Sequence, residues 1–87
     1  MRLSVAYTPA FTRQFKTLEL ELREEAIEKI KLFKDSTSHR GLKVHKLKGY
    51  FHDRYSFSVN YKFRIVFSYL SKKESVLLAI GDHDIYK

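Results

Sequence analysis

The chain has 87 residues, 44% of them hydrophobic, a formal net charge of +7 and no cysteine. That length makes one domain, residues 1–87, and a chain this short buries only about 60% of its unfolded surface. The lack of cysteine excludes a disulfide framework and a thiolate metal site. No apolar run approaches the ~20 residues of a membrane span, and no long apolar stretch follows Met1-Arg2-Leu3-Ser4 as in a signal peptide, so a cytoplasmic protein is expected.

Leu3, Val5 and Tyr7 alternate with Arg2, Ser4 and Ala6, the period of a half-buried strand. Thr8-Pro9 reads as a helix start, with Thr8 as N-cap and Pro9 at the first helical position. Phe11, Phe15 and Leu18 then recur at helical spacing. A second helical stripe runs Leu22, Ala26, Ile30, Phe33. Glu24, Glu25 and Glu28 precede Lys29, Lys31 and Lys34, which suits the helix dipole. No Gly or Pro marks the break between the two stripes; it is placed near Glu19, and one long helix is the alternative.

The polar run Asp35-Ser36-Thr37-Ser38-His39-Arg40-Gly41 ends the helical region. Leu42 to Leu47 is a short, weakly patterned strand. Tyr55, Phe57 and Val59 alternate with Ser56 and Ser58, giving a two-faced strand. Asn60-Tyr61-Lys62 reads as a turn. Phe63, Ile65, Phe67 and Tyr69 form the next strand, with Arg64 on the other face beside Val66 and Ser68. Ser71-Lys72-Lys73-Glu74 is a second turn. Ser75 to Ile80 is nearly all apolar, as for a strand buried on both faces. The predicted fold is α+β: an N-terminal strand, a helical hairpin, then an antiparallel β-meander with the helices packed on one face of the sheet.

The positive charge is concentrated. From Arg40 to Arg64 there are seven Lys or Arg against one acid, Asp53. Lys43, Lys46, Lys48, Arg54 and Lys62 are the candidate RNA-binding cations in and around this block. Such an excess attracts polyanions, whether nucleic acid or an acidic protein. No Gly-rich loop cradles a nucleotide, no serine elbow occurs, and no two histidines have helical metal-ligand spacing. No metal or other cofactor is expected. The remaining chemistry lies in His45, Arg64, His83 and Tyr86. Metal-independent RNA cleavage needs a base for the 2′-hydroxyl, an acid for the leaving oxygen and a cation at the phosphate. Two histidines and an arginine can fill those roles. Each residue also has a plainer reading. Arg64 can be an ion-pair partner, His83 a loop histidine between Asp82 and Asp84, Tyr86 a terminal core anchor and His45 an ordinary exposed strand residue. His39 and His52 read as loop residues without a role.

Four pieces together resemble the RelE/ParE toxin superfamily. They are the order strand, helix pair, strands; the segment His45-Lys46-Leu47-Lys48-Gly49; the strand Tyr61-Lys62-Phe63-Arg64-Ile65-Val66-Phe67; and the ending Ile80-Gly81-Asp82-His83-Asp84-Ile85-Tyr86. The resemblance covers almost the whole chain. It implies a RelE-like fold and the toxin of a type II toxin–antitoxin system. Its ribonuclease branches cut mRNA in the ribosomal A site and are blocked by a cognate antitoxin, here expected to bring an acidic segment. By this resemblance Arg64 contacts the scissile phosphate and His83 acts on the leaving group. His45 takes a position that is catalytic in YoeB-like and YafQ-like branches, and Tyr86 positions or stacks on substrate. Two departures stand out. Ser56 and Ser58 occupy the positions of two RelE lysines, and Tyr86 follows His83 more closely than the usual tyrosine does. Both favour a YoeB/YafQ-like histidine mechanism over a RelE-like one. The alternatives are a ParE-like DNA gyrase inhibitor, which shares the fold without being a nuclease, and a non-catalytic basic binding module.

Overall fold

The computed structural model describes residues 2–35, 41–47 and 53–82. The elements run β1 (Ser4–Tyr7), α1 (Pro9–Lys16), α2 (Leu20–Lys34), β2 (His45–Lys46), β3 (Tyr55–Ser58), β4 (Arg64–Ser71) and β5 (Glu74–Gly81). Thr8 caps α1: its hydroxyl oxygen accepts from the Phe11 backbone N–H at 3.1 Å, with Pro9 next in the chain. The same hydroxyl reaches the carbonyls of Leu77 and Leu78 at 3.1 and 3.2 Å. One residue thus starts the helix and pins it to β5. The helices break at residues 17–19, as the sequence suggests, and the single long helix does not form. In place of Gly or Pro, the Thr17 hydroxyl donates to the Gln14 carbonyl at 2.7 Å and helps close the first helix.

The sheet order is β1-β5-β4-β3-β2. β2 through β5 form the expected antiparallel meander, and β1 lies parallel to β5 at the far edge. Parallel neighbours need a long crossover connection, and the helix pair forms part of that return. The sheet is therefore mixed, and the helices cover one face of it.

That face holds the core. Phe33 of α2 sits between strands, its ring 4.6 Å from Phe57 of β3 and 4.5 Å from Phe67 of β4. Phe11, Ala26, Ile30, Leu42, Ile65, Leu77 and Ile80 complete a buried cluster around it. A register shift in β4–β5 pairs Val66 with Ala79 but Phe67 with Leu77, so Leu78 is the extra residue of a bulge. β5 is less enclosed than its composition suggests. Ser75, Leu77 and Ile80 are buried, whereas Val76, Leu78 and Ala79 are only half-buried. The other face of β5 carries no helix, so it stays partly open.

Strand register then fixes what that second face displays. His45 lies opposite Ser56, Ser56 opposite Val66, and Val66 opposite Ala79. One row further on, Ser58 pairs with Arg64 and Arg64 with Gly81. Directly opposed residues in an antiparallel pair share a face. His45, Ser56, Ser58 and Arg64 therefore lie together on the sheet face away from the helices. Val66 is buried on this side but stands outside the main core cluster.

Candidate functional site

Two serines of β3 seat the two candidate catalytic side chains. The Arg64 guanidinium donates from Nη1 to the Ser58 hydroxyl, and the same nitrogen donates to the Asn60 carbonyl at 3.3 Å. His45 places Nε2 at 3.4 Å from the Ser56 hydroxyl. Residues two apart on a strand are ~7 Å apart on the same face. The guanidinium and the imidazole are thus drawn over one strand, although their backbones stand two strands apart. Ser56 and Ser58 stand out in the sequence only as replacements for lysines; in the fold they are the supports of His45 and Arg64.

The His45 ring is also held from behind. Nδ1 lies 3.1 Å from the Lys43 carbonyl oxygen. A carbonyl only accepts, so this contact is a hydrogen bond in the tautomer with the proton on Nδ1, which leaves Nε2 as the acceptor facing Ser56. A serine hydroxyl can donate to Nε2 when the ring is neutral and accept from it when the ring is protonated. Ser56 is fully buried beneath the ring, so it is placed to steady either state rather than to attack a substrate. Lys43 has a φ of 55°, the left-handed region that non-glycine residues seldom occupy. Strain of this kind concentrates at functional sites. Here it turns the carbonyl that holds His45.

Arg64 is half-buried rather than fully solvated, because Ser58 and the β3–β4 turn close around it. That turn is rigid. Asn60 accepts through Oδ1 from the N–H groups of Lys62 and Phe63 at 2.9 and 2.8 Å, and donates through Nδ2 to Glu25 of α2 at 2.9 Å. Beside it opens a polar groove of about 460 Å³. Lys29, Gly41, Lys43, Asn60, Tyr61 and Arg64 line it, and no Asp or Glu is among its described lining residues. A smaller groove of about 230 Å³, lined by Phe11, Phe15 and Ile27 among others, has no charged side chain among its described lining residues.

The expected cations separate by position. Lys43 lines the groove with Arg64. Lys46 alternates with His45 on β2 and pairs with Tyr55, so it belongs to the opposite face. Lys62 lies in the turn, with its ammonium 5.8 Å from the Phe63 ring centre. Arg54 is half-buried, and its carbonyl accepts from the Leu47 N–H at 2.9 Å. Lys48, His83 and Tyr86 lie outside the described residues. Gly81, two positions before His83 in sequence, is the β5 partner of Arg64. Among the described residues, no cluster of His, Asp and Glu is arranged to hold a metal ion.

Sequence reasoning missed Lys29, Tyr61 and Asn60. Lys29 reads as one more cation on a polar helix face, and only the tertiary fold brings it to the groove. Tyr61 gives a usable signal, since an aromatic in a tight polar turn has no core to enter.

No family model and no characterised protein matches the chain in sequence. Solved structures do match in fold. A chain of the Escherichia coli DinJ–YafQ toxin–antitoxin complex superimposes with a TM-score of 0.76 at 15% identity, over 98% of this chain and 97% of that one. The archaeal RelE–RelB complex of Pyrococcus horikoshii gives 0.72 at 16% identity, over 94% and 96%. The YoeB–YefM complex of Staphylococcus aureus gives 0.73 at 20% identity, over 95% and 99%. The chain therefore shares the RelE-like fold of these structures.

Proposed function

We propose that the protein is the toxin of a type II toxin–antitoxin pair and acts as a metal-independent endoribonuclease that cuts mRNA in the ribosomal A site. The observation that carries this reading is the pair of serine-seated groups, His45 on Ser56 and Arg64 on Ser58. A gyrase binder has no need of a base and a cation aligned on one strand. The toxin–antitoxin names of the structural neighbours support the same reading.

In this proposal Nε2 of His45 gives up its contact with the Ser56 hydroxyl and takes the proton of the RNA 2′-hydroxyl. The oxygen attacks the adjacent phosphorus, and the Arg64 guanidinium balances charge gathering on the phosphoryl oxygens. The 5′-oxygen leaves and receives a proton from His83, with Tyr86 positioning the substrate. The cut leaves a cyclic phosphate on one fragment and a hydroxyl on the other. The ribosome holds the strand in line for attack, which explains why so small a site suffices. Lys43 beside Arg64, with Lys48, Arg54 and Lys62, attracts the RNA, and these cations with Lys46 on the opposite face attract an acidic antitoxin segment in the inhibited complex. The ribosome requirement makes the cytoplasm the place of action.

The test sets two assays side by side: primer extension on mRNA with purified ribosomes, and gyrase supercoiling. New mRNA ends that need ribosomes are expected, with supercoiling untouched. His45→Gln should slow cleavage by ~10²–10⁴-fold if His45 is the base. Intact mRNA with inhibited gyrase moves the assignment to the ParE branch.

A further inference from the structure

We infer that the groove beside Arg64 is a nucleotide subsite, in which the base next to the cleaved linkage stacks on Tyr61 and its phosphate lies between Lys29 and Lys43. This deepens the nuclease reading and rests on it for the position of the cut.

Tyr61 is 90% exposed although it is a large aromatic. It follows Asn60, whose side chain bonds both back into the turn and across to Glu25 of α2. A hydrogen-bonded turn thus carries an uncovered ring at the lip of a groove. The groove volume of about 460 Å³ falls within the usual range for small-ligand sites. Its described charged lining is cationic: Lys29 from α2, Lys43 from the strained turn and Arg64 from β4. An exposed aromatic beside a positive groove is the arrangement that binds single-stranded nucleic acid, with the base on the ring and the backbone along the cations. The space over Gly41 is open, since a Cβ there would meet nothing within 4 Å. His45 is not among the groove-lining residues. Arg64 belongs both to the groove and to the row beside His45. One strand of RNA can therefore have its scissile phosphate at Arg64 and its neighbouring nucleotide in the groove. Stacking accepts any base and favours the larger purine ring, so the subsite grades substrates rather than reading a code.

The probe is a fluorescent single-stranded RNA hexamer, fully 2′-O-methylated so that it cannot be cut. Binding to the full chain is followed by anisotropy across a salt series. Tyr61→Ala should weaken binding by roughly ten-fold or more, and Tyr61→Phe should retain it. Lys29→Gln should lower the slope of log affinity against log salt by about 0.7, the value for one lost phosphate contact on a single strand. An abasic position that weakens binding to wild type should cost Tyr61→Ala nothing further. Equal binding by wild type and Tyr61→Ala, or no binding by either, overturns the subsite. Ribosome-programmed cleavage by Arg64→Ala is run in parallel. Arg64-dependent cleavage without a Tyr61 effect removes the subsite and leaves the nuclease. Tyr61-dependent binding without any cleavage keeps the groove as an RNA site and removes the nuclease.

Discussion

The two faces of the β3–β4 pair are built from alternating residues of the same strands, yet they obey different rules. Phe57 and Ile65 are fully buried against α2, while their neighbours Ser58 and Arg64 bond to each other on the opposite side. The first face is held by aromatic rings 4.5 to 5.8 Å apart. The second is held by hydroxyls, a carbonyl and an amide. The first needs shape and the second needs direction. A close-packed aromatic core holds the strands in register, and the polar face uses that register to aim two ionisable side chains. The comparison predicts that stability and activity separate by face.

The largest effect is expected at Phe33. Its ring touches both β3 and β4 from the helix side, so Phe33→Ala removes contacts and leaves a cavity. The cost should be about 3–5 kcal/mol. Domains of this kind have only about 5–15 kcal/mol in total. Urea unfolding at low temperature should show a large fall in midpoint, while cleavage per folded molecule stays near wild type. A large loss of activity in folded Phe33→Ala would mean that the faces are not separable.

Arg64→Ala should show the reverse. Losing a charge-assisted contact in the transition state costs about 2.7–4 kcal/mol, or 10²–10³ in rate. Two hydrogen bonds to Ser58 and Asn60 also disappear, so stability should fall too, by about 1 kcal/mol. Arg64→Lys keeps the charge but loses the planar fork, and should be intermediate in rate. Full activity in folded Arg64→Ala would remove Arg64 from the site.

The same contrast divides what the sequence makes legible from what it hides. The helix-covered face is legible because burial writes a period into the sequence. The spacing of Phe11, Ala26, Ile30 and Phe33, and the alternation of Phe57, Ile65 and Phe67, each place a side chain toward the core. Arg64 on the opposite face follows from the same parity. The seating of His45 and Arg64 on Ser56 and Ser58 does not, because it depends on the register of three strands. The groove is hidden for the same reason. Lys29 and Tyr61 are 32 positions apart in sequence and line one groove, with the Asn60–Glu25 bond joining their two elements. The parallel placement of β1 is not written in local pattern either, since alternation says which side a residue faces and not which strand lies beside it.

Ser56→Ala sharpens the comparison at its most delicate point. Ser56 is buried yet belongs to the polar face. If its hydroxyl only fills space, the substitution should lower stability slightly and leave the rate alone. If it steadies the His45 ring, the single-turnover rate should fall by about five-fold, the equivalent of one hydrogen bond of ~1 kcal/mol. Ser56→Thr restores the hydroxyl and should recover the rate where the added methyl fits. An unchanged rate in Ser56→Ala would show that His45 does not depend on this hydroxyl for its position.

The smallest effect is expected at the rim of the aromatic side, where Tyr69 packs edge-on against Tyr55 at 5.1 Å and Phe67 at 5.3 Å. Burial, and then the neighbouring Tyr55, push the Tyr69 phenol above the ordinary tyrosine value of 10.0. An unfolded chain would release that proton first. Stability from this source is therefore complete below the ordinary value and is lost as pH climbs through it toward the folded value. Tyr69 is 41% exposed, so solvent screens the effect and the loss should be small. Urea midpoints should fall more steeply above pH 10 in the wild type than in Tyr69→Phe, which has no proton to lose. The polar face should take no part in this difference, and Arg64→Ala should keep the wild-type alkaline slope. Should Tyr69→Phe keep the wild-type slope as well, the phenol is not the group that feels the packing, and the rim belongs to the solvent rather than to the core.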